Sequence, residues 1–195
     1  MSSLVTFTPI RTSQLQLRML EPQDADAIWE FASDPQVTRY TAFATHRQRS
    51  DTEAYLRFVF DRYAAGDLAA LAMVELKSDQ VIGTLGVAPA RTEDAFEIGW
   101  AVQRRSWNRG YATQALRATL EHFFCEKGAK LIFAHAAAAN AASIRVMQKA
   151  GMHRSNAAVE PRLMRGQLES VVRYEATAAH WSASMTPEGP SSGPA

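Results

Sequence analysis

The sequence predicts one mixed α/β domain built around an antiparallel meander that feeds a helix. Two observations predict it. Strand-like runs cover Ala69 to Leu76, Gln80 to Pro89 and Ala95 to Val102, joined by short turns at Lys77-Ser78-Asp79 and Glu93-Asp94. Within the last run Phe96, Ile98, Trp100 and Val102 alternate with Glu97, Gly99, Ala101 and Gln103. Directly afterwards Ala112, Ala115, Leu116, Leu120 and Phe123 recur at helical spacing. A chain of 195 residues is long enough for one sizeable core.

The remaining elements follow in order. Met1 to Ser13 is polar and unpatterned and reads as a loose arm, and Leu15, Leu17 and Met19 mark a first strand. Pro22 to Asp24 opens a helix with acidic residues where the helix dipole favours them, and Asp34-Pro35 closes it, because a residue before proline avoids helical geometry. Val37 to Arg49 reads as a loop exposing Tyr40 and Phe43. A helix over about 51–65 follows, with Ala54, Tyr55, Phe58, Val59 and Arg62 on one face. Gly83 and Gly86 stand inside a strand, where glycine marks a bulge or a close approach. Gly128 ends the long helix, and Lys130 to His135 forms the next strand, with the alanines at 136–139 fitting a strand poorly. Asn140 caps a helix that shares Ile144, Met147 and Ala150 on one face and ends at Gly151. Met152 to Glu160 and Leu168 to Thr177 read as a closing strand pair around Arg165-Gly166. The Ser/Pro/Gly-rich stretch 182–195 reads as a disordered tail, leaving one domain over 14–181.

Composition narrows the function. A net charge of +1 gives no case for nucleic acid as a bulk partner. Cys125 is the only cysteine, so neither an intrachain disulfide nor a cysteine-based metal cluster can form. Its place at the end of a helical pattern predicts a buried residue without a nucleophilic role. No leader or membrane-spanning pattern is visible, so a cytoplasmic protein without a membrane partner is expected. No His/Asp/Glu spacing suggests a metal, and His46, His135 and His153 show no partner pattern and are expected to be structural.

The functional signal lies between the strand ending at Val102 and the helix starting near Tyr111. The connecting turn holds Arg104, Arg105, Asn108, Arg109 and Gly110. Free N–H groups and the positive end of the helix dipole make such a turn a place to hold phosphate. The run Trp107-Asn108-Arg109-Gly110-Tyr111-Ala112-Thr113-Gln114-Ala115 resembles the acetyl-coenzyme A motif of the GNAT acetyltransferases, and specifically their ribosomal-protein N-terminal acetyltransferase branch. Glu97-Ile98-Gly99-Trp100-Ala101-Val102, Asn140-Ala141-Ala142-Ser143 and Val146 to Met152 support the resemblance, as do Asp34-Pro35-Gln36-Val37 with Arg39-Tyr40, and Gly166 before Tyr174. The sequence departs from the broad family pattern at Trp107, where this branch commonly has an aromatic, and from the usual residues at Asn108, Gln114 and Met152. Asn108 suits a left-handed turn, and Gln114 removes a charge from the helix start.

The resemblance implies a GNAT fold, a mixed and mostly antiparallel sheet flanked by about four helices, and acetyl-coenzyme A as cosubstrate without a metal. It implies that backbone N–H groups from Trp107 to Thr113 take the pyrophosphate, with Arg104, Arg105 or Arg109 nearby and Lys149 toward the nucleotide. The backbone of Ala101 and Val102 would bond the pantetheine arm and polarise the thioester. Asn140 would contact the arm or merely cap its helix, and Ser143 would assist the leaving sulfur or be an ordinary helix serine. Glu97 or Glu160 would serve as general base, or pair with an arginine. Cys125, away from the site, argues for direct attack by the amine rather than a covalent enzyme intermediate. A protein or peptide α-amine is the expected acceptor. An aminoglycoside, a polyamine or a non-catalytic cofactor-binding module are the alternatives, and the oligomeric state, a homodimer included, stays open.

Overall fold

The computed structural model describes residues 5–164 and 167–185. Its centre is an eight-stranded sheet made of β1 (Ile10–Arg11), β2 (Leu15–Met19), β3 (Ala70–Glu75), β4 (Gln80–Pro89), β5 (Ala95–Val102), β6 (Leu131–Ala137), β7 (His153–Arg154) and β10 (Val171–Thr177), in the order β1-β2-β3-β4-β5-β6-β10-β7. Every neighbouring pair is antiparallel except β5 and β6. A separate hairpin pairs β8 (Arg162–Met164) with β9 (Gln167–Glu169). The helices are α1 (Ala25–Ala32), α2 (Arg49–Ala64), α3 (Tyr111–Cys125), α4 (Ala141–Lys149) and α5 (Ala178–Met185). This is the mixed, mostly antiparallel sheet with flanking helices that the sequence predicts.

Alternation along the strands sends side chains to two cores. Ile82, Leu85, Ile98, Val102 and Ile132 meet Leu116, Leu120 and Met147 of α3 and α4 on one face. On the other, Ala72, Val74, Val81 and Ala101 meet Ile28 and Phe31 of α1 and Leu56 and Val59 of α2. The polar groups in this second core are paired. Tyr63 accepts from the Leu20 N–H and donates to the Ala70 carbonyl, and buried Asp24 takes both guanidinium nitrogens of Arg18 at 2.8 Å.

Several expectations need correction. The N-terminal arm is not loose over its described part. Ile10 and Arg11 pair with β2, Phe7 packs edge-on against His122, and Gln114 holds the arm by accepting from Thr12 and the Gln14 N–H while donating to Ser13. A glutamate at position 114 has no hydrogen to donate in that last bond and could only accept from the Ser13 hydroxyl. Tyr40 and Phe43 are half-buried rather than exposed, Phe43 lying against His46 and Tyr55. The inner face of α2 carries Thr52, Leu56, Val59 and Tyr63, whereas Ala54 and Phe58 face solvent. Thr52 is buried because its hydroxyl bonds His46 Nδ1 at 2.9 Å, a partner that an apolar-periodicity count does not see. β6 runs on through Ala136 and Ala137, because β10 pairs with it along its whole length and packing overrides propensity. Of the expected closing strands only His153–Arg154 pairs with β10, the chain then leaving the sheet for the β8–β9 hairpin, whose turn at Arg165-Gly166 lies outside the described residues. Helix α5 extends to Met185, beyond the expected tail boundary, and 186–195 also lie outside them. Cys125 is exposed, at the end of α3.

Gly83 makes the closest strand contact. A Cβ there would stand 2.3 Å from the carbonyl oxygen of Ala101 on β5. Gly83→Ala should therefore cost about 1–3 kcal/mol of stability, since neither backbone can yield without breaking the ladder. Urea unfolding measures this, and an unchanged midpoint would contradict the β4–β5 packing.

Candidate active site

β5 and β6 are joined by only three residue pairs, Ala95–Leu131, Phe96–Ile132 and Glu97–Phe133. Beyond them each strand continues, β5 bonded to β4 and β6 to β10. The edges that face one another thus form an open fork. Backbone groups alternate sides along a strand, and the Gln103 N–H bonds Ile82 on β4 at 2.8 Å. That register makes the Ile98 N–H the last rung to β6, turns the N–H groups of Trp100 and Val102 into the fork and aims that of Ala101 at β4. Of the two backbones expected to meet a thioester arm, the register exposes Val102 alone. The Val102 carbonyl is taken by the indole N–H of Trp107 at 2.7 Å, which closes the wide end of the fork.

The turn after β5 begins with a short 3-10 segment, Arg104–Ser106, pinned by the bond of Gln103 Nε2 to Ser106 Oγ at 2.9 Å. Asn108 and Gly110 then adopt left-handed φ values of 58° and 80° and deliver the chain into α3. The first helical bond runs from Gln114 N–H to the Gly110 carbonyl, so the N–H groups from Asn108 to Thr113 have no acceptor among the described residues. A row of free donors at a helix N-terminus has the geometry to hold an anion. The arginines are engaged elsewhere. Arg104 pairs with Asp34 at 3.0 Å, Arg105 with Glu30 at 2.6 Å and Arg109 with Glu75 at 3.1 Å, the last also lying over the Tyr111 ring. A groove of about 820 Å³ runs from Gly110 and Thr113 past Arg117 to Lys149, with the N-terminal arm as its far wall.

Asn140 caps α4 by accepting from the Ser143 N–H at 3.1 Å, which fixes the orientation of its amide. The amide nitrogen then donates to Ser143 Oγ at 3.0 Å. With one of its lone pairs engaged, the Ser143 hydroxyl keeps its own hydrogen to give to another group.

The two carboxylates expected as bases are placed differently. Glu160 is exposed and has no hydrogen bond or ion pair among the described residues. Glu97 sits where the fork opens and accepts from His135 Nδ1 at 2.9 Å and from Arg162 of β8 at 2.6 Å. Burial pushes its carboxyl upward, but the bonds from His135 and Arg162 outweigh that and hold it at about 2. His135 is therefore not the partnerless residue expected from sequence. Parallel neighbours flanking a strand–helix–strand unit bring their side chains together, and Glu97 and His135 both lie near the join, but their register is invisible in sequence. His46 bonds Thr52, and His153 meets His180 edge-on.

Gly110 tests the anion site. Apart from its own chain neighbours, no atom of the described residues lies within 4 Å of a Cβ built there, so the cost of Gly110→Val comes from the left-handed φ, about 1–3 kcal/mol. A ligand held by the turn stabilises the fold by mass action, so acetyl-coenzyme A should raise the melting temperature of the wild type and not of this variant. An equal shift in a folded Gly110→Val protein would contradict the assignment.

The chain is 27% identical over 170 residues to the uncharacterized N-acetyltransferase p20 of Bacillus licheniformis, covering 84% of this chain and 96% of that protein. It is 33% identical over 146 residues to the uncharacterized N-acetyltransferase YnaD of Bacillus subtilis, covering 74% and 82%. Its fold is similar to a GNAT-family acetyltransferase from Bacillus anthracis, with a TM-score of 0.79 at 24% identity over 88% of this chain and 99% of that one. It is also similar to a RimL ribosomal α-N-protein acetyltransferase solved with coenzyme A, with a TM-score of 0.75 at 15% identity over 87% and 98%. Residues 14–153 match the acetyltransferase (GNAT) domain model. The chain belongs to the GNAT acetyltransferase family.

Proposed function

We propose that this protein transfers an acetyl group from acetyl-coenzyme A to a primary amine by direct attack, and that the acceptor is the N-terminal α-amine of a protein or peptide. The observation that carries the reading is the continuity of one strand. β5 ends in the donor-rich turn and, one turn of chain earlier, lines the fork with free N–H groups. A diphosphate on the turn would leave its pantetheine arm pointing along β5 into the fork. The Val102 N–H lies in position to polarise a thioester carbonyl there, where fixed donors act without reorganising.

The acceptor side is the sheet face bearing Glu97 and His135. Beside it stands the β8–β9 hairpin, with Leu163 and Leu168 paired across the strands and 69% and 75% exposed. An apolar pair next to a carboxylate suits a peptide, which has side chains to lay on it, better than a polycationic sugar. The motif resemblance to the ribosomal-protein branch supports the same acceptor. A panel of α-amine peptides, an aminoglycoside and a polyamine, followed by release of free thiol, tests this. Turnover of the peptides is expected, and turnover of the small amines alone would contradict it.

Ser143, with its hydrogen free, would serve the departing thiolate. Such an interaction forms late in the reaction and lowers the barrier without tightening ground-state binding. Ser143→Ala should reduce kcat by one to two orders of magnitude, about 1.4–2.7 kcal/mol of barrier, with little change in acetyl-coenzyme A affinity. Normal kcat with a verified acceptor, chemistry being rate-limiting, would end that role.

A further inference from the structure

The Glu97 carboxylate is poorly suited to take a proton from an amine, since it already accepts hydrogen bonds from two basic side chains. The neighbouring imidazole is placed differently. Because Glu97 is ionised, its bond at 2.9 Å assigns the hydrogen to His135 Nδ1, which leaves the lone pair on Nε2. Among the described residues only Arg162 Nη2 approaches Nε2, at 3.5 Å, from a side chain 45% exposed. His135 itself is 8% exposed and rests edge-on against Phe133. Its cross-strand neighbour Arg173 lies over the same Phe133 ring at 4.1 Å and pairs with Glu175 at 3.1 Å. The charged groups around the imidazole are thus Glu97 from β5, Arg162 from β8, and Arg173 with Glu175 from β10.

Position supports a role in chemistry. His135 is the first residue on its face of β6 beyond the last β5–β6 pair, where the fork opens. Across the fork on the same face is Gly99, where a Cβ would meet nothing within 4 Å. The α1–α2 core reaches Ala101 of β5 and includes no residue of β6 among those described.

We propose that His135 is the group that takes the proton from the acceptor amine, with Glu97 as the residue that positions it. The proposal rests on the N-acetyltransferase reading above. An ammonium entering beside Arg162 gives one proton to Nε2. The neutral nitrogen attacks the thioester carbonyl, the C–N bond forms and the C–S bond breaks. The second proton lost by nitrogen ends on the sulfur as thiol, and the imidazolium returns its proton to water. Arg162 occupies the place a substrate cation would take, on a side chain exposed enough to move aside.

The test is kcat/KM against pH for the wild type, His135→Ala and Glu97→Gln, with a peptide α-amine that the wild type acetylates. His135→Ala should lower kcat/KM by about 100-fold, the usual lower bound for loss of a general base. Acetyl-coenzyme A should still stabilise this variant, and added imidazole should restore part of the rate, which a packing defect would not permit. Glu97→Gln should move the acidic limb to lower pH, because a neutral amide favours the imidazolium less than a carboxylate does. The ionisation of the amine is common to all three proteins, so only a group on the enzyme can shift that limb. Wild-type rates in His135→Ala, or a loss that imidazole does not rescue together with an unmoved limb in Glu97→Gln, would overturn the proposal alone. A wild-type protein that binds acetyl-coenzyme A but acetylates no amine would overturn the N-acetyltransferase reading and this proposal with it.

Discussion

Three residue pairs join β5 to β6, and past Glu97 and Phe133 the strands separate. Unpaired strand edges inside a sheet leave backbone donors and acceptors without partners, which is costly unless something else satisfies them. The fold keeps the gap open by holding each strand from its outer side. β4 is bonded along β5 from Phe96 to Val102, with Gly83 allowing the contact with Ala101. β10 is bonded to β6 throughout. Trp107 caps the Val102 carbonyl, and the turn behind it presents its own N–H groups outward. Fork and turn are therefore two parts of one strand's unfinished hydrogen bonding.

Charge plays a smaller part in the turn than the run of arginines suggests. Each of Arg104, Arg105 and Arg109 has a carboxylate partner, and each guanidinium is 50–58% exposed. Exposed pairs of this kind contribute about 0–1 kcal/mol each. A hydrogen bond from a neutral donor to a charged acceptor contributes about 1.5–3 kcal/mol. On those magnitudes the backbone N–H groups would contribute more to holding an anion than the arginines, which tie the turn to Glu30 of α1, to Asp34 just after it and to Glu75 of β3. An arginine could exchange its carboxylate for a phosphate at little cost, since its present pairing contributes so little.

The parts of the fold written in local pattern were legible. The meander from Ala70 to Val102 follows from period-two alternation, and the left-handed Asn108 follows from the short polar side chain that tolerates that geometry. What depended on a distant partner was not. Thr52 counted as polar until His46 was seen against it, which rotated the inner face of α2. Gln114 was a departure from a family pattern without a consequence until the N-terminal arm was found bonded to it. His135 was one histidine among several, since its pairing with Glu97 depends on parallel register between strands that α3 separates in the chain. Most of the site residues named from sequence lie in three places, the turn, the start of α4 and the fork. Lys149 at the end of α4 and Glu160 beyond β7 lie outside them, each with no side-chain hydrogen bond or ion pair among the described residues.

The most direct test of the fork and turn as one binding line is a backbone amide NMR titration of the intact protein with coenzyme A. The amides of Asn108 to Thr113 and of Val102 should shift together and saturate at one concentration, with those of Thr113 and Lys149 marking the groove. Shifts confined to α2 and the Val37–Tyr40 segment, with the turn and Val102 unmoved, would contradict it.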